Sequence, residues 1–196
     1  MDKFLWILLS VTLILFSLYL PINSSSGFVL SFKTPIDDLI PLWSPFLLIY
    51  ISYFGFVVFT YFYLVKKRIQ ILKVTLLALI IACIAAYLFY LFFQNGVERP
   101  VIKSRNVYDI FYTWINSWVA PYNAFPSLHV AISTICAISY FQIKSVLKWL
   151  MLVWVILIIA STVLTKQHYF LDVVSGLVLG VLSFKAASYS LRIKLM

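Results

Sequence analysis

The sequence predicts an all-α fold: a polytopic membrane protein with six transmembrane helices and one short interfacial helix on its outer face. Three observations carry this. The mean hydropathy is +1.04 over 196 residues, far above that of a water-soluble domain. Hydrophobic residues make up 64% of the chain and charged residues only 11%. The apolar residues also gather into runs long enough to cross a bilayer. No linker, low-complexity tract or repeat divides the chain, so residues 1–196 read as a single integral membrane domain.

The six runs cover about 4–20, 46–65, 74–93, 127–141, 149–164 and 171–191. Pro21, Ile22 and Asn23, followed by three serines, form a poor small-residue cleavage site. The first run is therefore expected to stay as a helix and not to leave as a signal peptide. The fourth run falls short of the roughly 20 residues a span needs, so its neighbours are expected to extend it.

Three segments then face outside. In the first, 21–45, "KTPIDDLIPLW" predicts a short helix: Thr34 as cap, Pro35 at the first position, and Asp37 and Asp38 in the first turn. Acids at a helix N-terminus are read as structural here before they are read as ligands. In the second, 94–126, apolar residues recur at Val107, Ile110, Phe111, Trp114, Ile115 and Trp118, with polar Asp109, Thr113, Asn116 and Ser117 between them. That is helical periodicity over 107–118, too short to span, with tryptophans suited to the membrane–water boundary. The third is the connection around "TKQHYFLD", residues 165–172.

The formal charge of +9 does not point to nucleic acid. With the N-terminus inside, ten of the 15 basic residues fall in cytoplasmic loops and helix ends: Lys3, Lys66, Lys67, Arg68, Lys73, Lys144, Lys148, Lys185, Arg192 and Lys194. This is the positive-inside distribution, with both termini cytoplasmic. Cys83 and Cys136 lie inside apolar runs, show no metal spacing and read as small buried side chains.

The chain owns two histidines. His129 begins the fourth run and His168 precedes the sixth, so two spans separate them and both reach the same outer face. That face gathers Arg99, Lys103, Arg105, Ser127, His129, Ser161, Lys166, His168 and Asp172. Cations and helix N-termini bind phosphate. Histidine serves as nucleophile or general acid. Asp172 follows His168 by four residues, which puts both on one helical face, where a carboxylate orients an imidazole. An acid opening an apolar span usually has a partner. Pro126 fits a first helical turn, with Asn123 as the expected cap.

In chain order stand Arg99-Pro100, then Pro126-Ser127-Leu128-His129, then Ser161-Thr162 with His168 and Asp172. This set resembles the type 2 phosphatidic acid phosphatase superfamily of membrane lipid phosphatases and phosphotransferases, whose motifs run K-x6-R-P, P-S-G-H and S-R-x5-H-x3-D. The resemblance implies a phosphorylated lipid as substrate, a phosphohistidine intermediate at His168, orientation of His168 by Asp172, and protonation of the leaving oxygen by His129. It implies phosphate binding by Arg99, Ser127 and Ser161, with neither metal nor other cofactor. Phe92 stands at the first motif's lysine and Thr162 at the third motif's arginine. Lys166 is the first choice to replace a missing cation, ahead of Lys103 and Arg105. Leu128 in place of glycine makes the chain look more like the branch containing inositol phosphorylceramide synthase. Two other classes compete: a channel or transporter using intramembrane charges, and a metal hydrolase on His129, His168 and Asp172.

Overall fold

The structure, a computed structural model, describes residues 2–25, 27–103, 106–143 and 145–193. Arg105, Lys144 and Lys194 lie outside these residues. The described residues are helical: α1 (Lys3–Ile22), α2 (Pro35–Leu39), a 3-10 turn (Ser44–Phe46), α3 (Leu47–Lys67), α4 (Ile69–Phe92), α5 (Val107–Trp118), α6 (Leu128–Phe141), α7 (Leu147–Leu164) and α8 (Phe170–Ser190). Five of them, α1, α3 (with the 3-10 turn before it), α4, α7 and α8, are long and apolar enough to cross a membrane. This is the layout of an integral membrane protein.

The remaining apolar run forms α6, and its neighbours do not extend it as expected. Its 14 residues span ~21 Å at 1.5 Å per residue, against a hydrocarbon core of ~30 Å. Ser127 ends it on one side, its Oγ accepting from the Val130 N–H at 3.4 Å. On the other side the chain turns at Gln142. The expected cap, Asn123, plays a different part. It adopts a left-handed backbone with φ 57°, a region asparagine tolerates better than most residues. Its side-chain amide donates to the Ile22 carbonyl at 3.0 Å, tying this segment to the end of α1.

The two short helices α2 and α5 form where the sequence predicts helix. Asp37 Oδ2 accepts from the Thr34 N–H at 2.7 Å and from Thr34 Oγ1 at 2.8 Å, closing the start of α2. Asn106 Oδ1 accepts from the N–H groups of Tyr108 and Asp109 and starts α5 at Val107. Along α5, Tyr112 is buried, while Ile110, Trp114 and Trp118 remain 59%, 54% and 73% exposed.

The centre of the bundle is α4 and α6, with α8 packed on both, α1 against α4, and α7 between α3 and α6. The closest approach is α6 to α8. A Cβ on Gly176 would lie 2.6 Å from the Ser127 carbonyl oxygen and 2.9 Å from Val130 Cβ; one on Gly180 would lie 2.7 Å from the Ala131 oxygen and 2.8 Å from Thr134 Cβ. The spacing is the G-x-x-x-G pattern that lets two helix backbones meet. Contacts advance together along both helices, so α6 and α8 run side by side in the same direction.

Polar ties sort the two ends of the bundle. At one end Lys73 pairs with Asp2 and the Arg68 guanidinium donates to the Gln142 carbonyl. At the other, the Trp43 N–H donates to the Leu164 carbonyl at 2.8 Å, and Asn23 Nδ2 to the Ala120 carbonyl at 3.0 Å. Asn95 there pairs with the Phe125 backbone through both its amide oxygen and its amide nitrogen. Both histidines lie at this second end. Cys83 and Cys136 are free and buried.

Candidate active site

The site is built where α6 and α8 begin. The polypeptide leaves α7 through a turn in which the Thr162 carbonyl accepts from the N–H groups of both Gln167 (3.0 Å) and His168 (3.1 Å). Lys166 takes a left-handed conformation, φ 52°, to make that turn. The turn brings His168 to the mouth of α8 with 6% exposure. Its Nδ1 lies 3.1 Å from the Ala124 carbonyl oxygen and 3.5 Å from Asp172 Oδ2. Two acceptors on one nitrogen hold the proton there and leave Nε2 as the ring's lone-pair nitrogen.

Asp172 is fully enclosed, and its main bond is local. Oδ2 accepts from the Tyr169 N–H at 2.8 Å, capping α8; Oδ1 is buried without a partner. The backbone carbonyl of Asp172 accepts from the Ser127 N–H at 3.1 Å. That bond stitches the start of α8 to the start of α6 directly above the glycine contact. Consequently His129, in the first turn of α6, faces His168 with ring centroids 5.7 Å apart. The first turn also carries the N–H groups of Leu128 and His129, which precede any intrahelical partner.

Arg99 joins from the connection between α4 and α5. Its Nη1 donates to the Val119 carbonyl at 2.6 Å, while Nε is buried without a partner. Burial pulls its pKa below the ordinary arginine value, opposed by the nearby Tyr50, Tyr112 and Tyr19 hydroxyls. A half-desolvated guanidinium with a spare donor is an anion site in waiting.

The other predicted residues take up separate positions. Ser127 is fully buried and caps α6. Ser161 is fully buried and its Oγ donates to the Ile158 carbonyl at 2.6 Å. Lys103 is exposed and lines a shallow pocket with Leu42, Ser44, Ile102 and Asp109. The Lys166 ammonium donates to the carbonyls of Asp37 (2.7 Å) and Ile40. Asp37, structural as expected, also accepts the Phe170 N–H on Oδ1 at 2.7 Å. The connection between α1 and α3 thus clamps both sides of His168. Lys166→Ala is expected to lower kcat/KM more than Lys103→Ala, and to lower the melting temperature as well. Two charge-assisted bonds are lost, each worth about 1.5–3 kcal/mol. A larger loss in Lys103→Ala, measured side by side, would reverse that ranking.

Sequence reasoning passed over three features of the site. Tyr50 and Tyr53 of α3 flank the His129 ring, each with centroids 4.7 Å away; nothing in their spacing marks them. Gly176 and Gly180 did carry a signal in their separation. Gln167 Nε2 donates to Asn116 Oδ1 at 2.9 Å, docking α5 onto the histidine turn.

An apolar helical bundle with its imidazoles collected at one end is a membrane protein with a polar site at its helix ends. A family model described as the PAP2 superfamily matches residues 28–186, and the chain belongs to that superfamily. The match takes in every site residue named above. Among solved structures, the crystal structure of Aquifex aeolicus LpxE has a similar fold, with a TM-score of 0.58 and 18% identity, covering 89% of this chain and 94% of that one. An uncharacterized protein of Methanocaldococcus jannaschii is 28% identical over 131 residues, 64% of this chain. The match spans 51% of that relative, about half its length.

Proposed function

We propose that this protein is a membrane enzyme that takes the phosphoryl group from a phosphorylated lipid and passes it to water or to an alcohol, through a phosphohistidine on His168. The observation that carries the reading is the juxtaposition of His129 and His168 at the mouths of two helices locked together by glycine contact. Membership of the PAP2 superfamily supports the same chemistry.

In the first step His168 Nε2 attacks phosphorus, the P–O bond to the lipid breaks, and His129 gives a proton to the departing oxygen. In the second step an acceptor hydroxyl attacks, the P–N bond breaks, and His129 takes the acceptor's proton. Asp172 and the Ala124 carbonyl hold Nδ1–H throughout. Arg99 and the amides at the start of α6 stabilise the equatorial oxygens. Ser127 and Ser161 brace helix ends around the site, Lys166 holds the histidine turn through its two carbonyl bonds, and Lys103 lines a pocket with Ser44 and Asp109. The scheme needs no metal. The distribution of basic residues supports an outer, extracytoplasmic site with cytoplasmic termini, and α6 as a sixth, short span. The exposed tryptophan face of α5 suits an interfacial position in lipid.

The test is purified protein on a panel of lipid phosphates and diphosphates, with and without acceptor alcohols, in the presence of chelator. Release of inorganic phosphate supports hydrolysis. Product formed only with acceptor supports the headgroup transferase related to inositol phosphorylceramide synthase. Activity abolished by chelator and restored by a divalent metal would overturn the metal-free scheme, and inactivity on the whole panel would overturn the reading itself.

A further inference from the structure

His129 is poorly supported by its own helix. It stands in the first turn of α6, and its backbone neighbours offer the ring no hydrogen bond. The support comes from α3, which the family motifs in this chain do not include. The Tyr53 ring, buried, packs against one part of the imidazole with centroids 4.7 Å apart and planes at 55°. Tyr50 lies at the same distance with planes at 34°. Its Oη is 3.5 Å from His129 Nδ1. Among the described residues, that hydroxyl is the one hydrogen-bonding side chain that reaches the ring. It also lies near enough to the Arg99 guanidinium to feel its charge.

We propose that Tyr50 is the positioning residue for His129: its hydroxyl oxygen accepts the Nδ1–H of the imidazolium and so turns Nε2–H toward the leaving oxygen. This rests on the phosphoryl-transfer reading above. When Nε2 gives its proton to the leaving oxygen, the Nδ1 proton stays in the bond to Tyr50. When the acceptor hydroxyl attacks, Nε2 is the nitrogen left to take its proton. A bond of 3.5 Å is long, as catalytic bonds are before substrate tightens the site. Tyr53 contributes ring packing alone, with no polar contact to the imidazole.

The test uses leaving-group chemistry. Two amphiphiles of matched chain length are compared, one with an alkyl alcohol as leaving group and one with a nitrophenol, which departs without protonation. Release of the leaving group is followed, so the identity of the acceptor does not matter. For Tyr50→Phe the alkyl substrate is expected to slow about 10–100-fold, less than the 10²–10⁴-fold that loss of the general acid itself costs, and the aryl substrate less than about 3-fold. His129→Ala should show the same selectivity, more strongly. The double variant should be no slower than His129→Ala, within about twofold, because Tyr50 acts only through that ring. Tyr53→Phe, which keeps the ring, should show no preference between leaving groups.

Equal losses on both substrates in Tyr50→Phe, no loss on either, or losses that multiply in the double variant would each overturn the assignment while leaving the enzyme reading intact. If wild-type protein releases neither leaving group, the enzyme reading fails, and the Tyr50 assignment with it.

Discussion

His168→Ala is expected to abolish turnover, by about 10⁴-fold or more as for other nucleophile deletions, while the protein still inserts and keeps its helices. The buried imidazole makes one good hydrogen bond, to the Ala124 carbonyl at 3.1 Å, and stands away from the α6–α8 contact. Its removal leaves the Asp172 bond to the Tyr169 N–H in place, so α8 keeps its cap. The loss should therefore fall on kcat with little change in the melting temperature. His129→Ala should be less severe, since a general acid contributes about 10²–10⁴-fold and a reactive leaving group bypasses it. Wild-type turnover by His168→Ala, in protein shown to be free of contaminating phosphatase, would remove the nucleophile assignment and with it the phosphohistidine.

The second large effect is expected from a residue with no side chain. In Gly176→Val the new Cβ would start 2.6 Å from the Ser127 oxygen and 2.9 Å from Val130 Cβ. Both obstacles belong to the rigid first turn of α6, so relief requires the two helices to separate. Overpacking of this kind costs about 1–3 kcal/mol. The functional loss should be larger, because the same separation pulls Ser127 from the Asp172 carbonyl and His129 from His168. Misplacement by about 1 Å lowers rates by about 100-fold. Gly55 of α3 supplies the control: a Cβ there meets nothing within 4 Å. Gly55→Ala should leave both the melting temperature and kcat/KM unchanged. Retention of full activity by Gly176→Val would mean that the spacing of α6 and α8 does not set the geometry of the two imidazoles.

Much of the fold was legible because hydropathy is a long-range average. Five apolar runs became helices within a few residues of their expected ends, and α5 covers the 107–118 expected from its periodicity. The start of α2 was readable from Thr34–Pro35, since capping is a matter of adjacent residues; α5 was read from its periodicity alone, and its cap, Asn106, was passed over. The start of α6 was not. A choice between Asn123 and Ser127 as cap depends on where Asn123 sends its amide, and that is to Ile22, 101 residues away.

The meeting of His129 and His168 followed from counting spans, but the partners of each ring did not. Three groups around His168 and Asp172 are backbone: the Ala124 carbonyl and the N–H groups of Tyr169 and Ser127. Backbone groups have no letter in a sequence. Tyr50 is one of 13 tyrosines in the chain, most of which suit a membrane protein on general grounds. Lys166 shows the opposite limit. Its proximity to His168 was visible, but the direction of its ammonium, toward the carbonyls of Asp37 and Ile40, depends on a left-handed backbone at a residue that rarely adopts one.

The turn at 165–170 is moored from several sides: by Asp37 at Phe170, by Asn116 at Gln167, by Ala124 at His168, and by the Tyr169 hydroxyl, which accepts from the Glu98 N–H at 2.9 Å. The mooring residues come from both of the other connections at this end of the bundle, Asp37 from the first and Glu98, Asn116 and Ala124 from the second. A replacement at any one of these positions is therefore felt at the imidazole, however far away it stands in the chain.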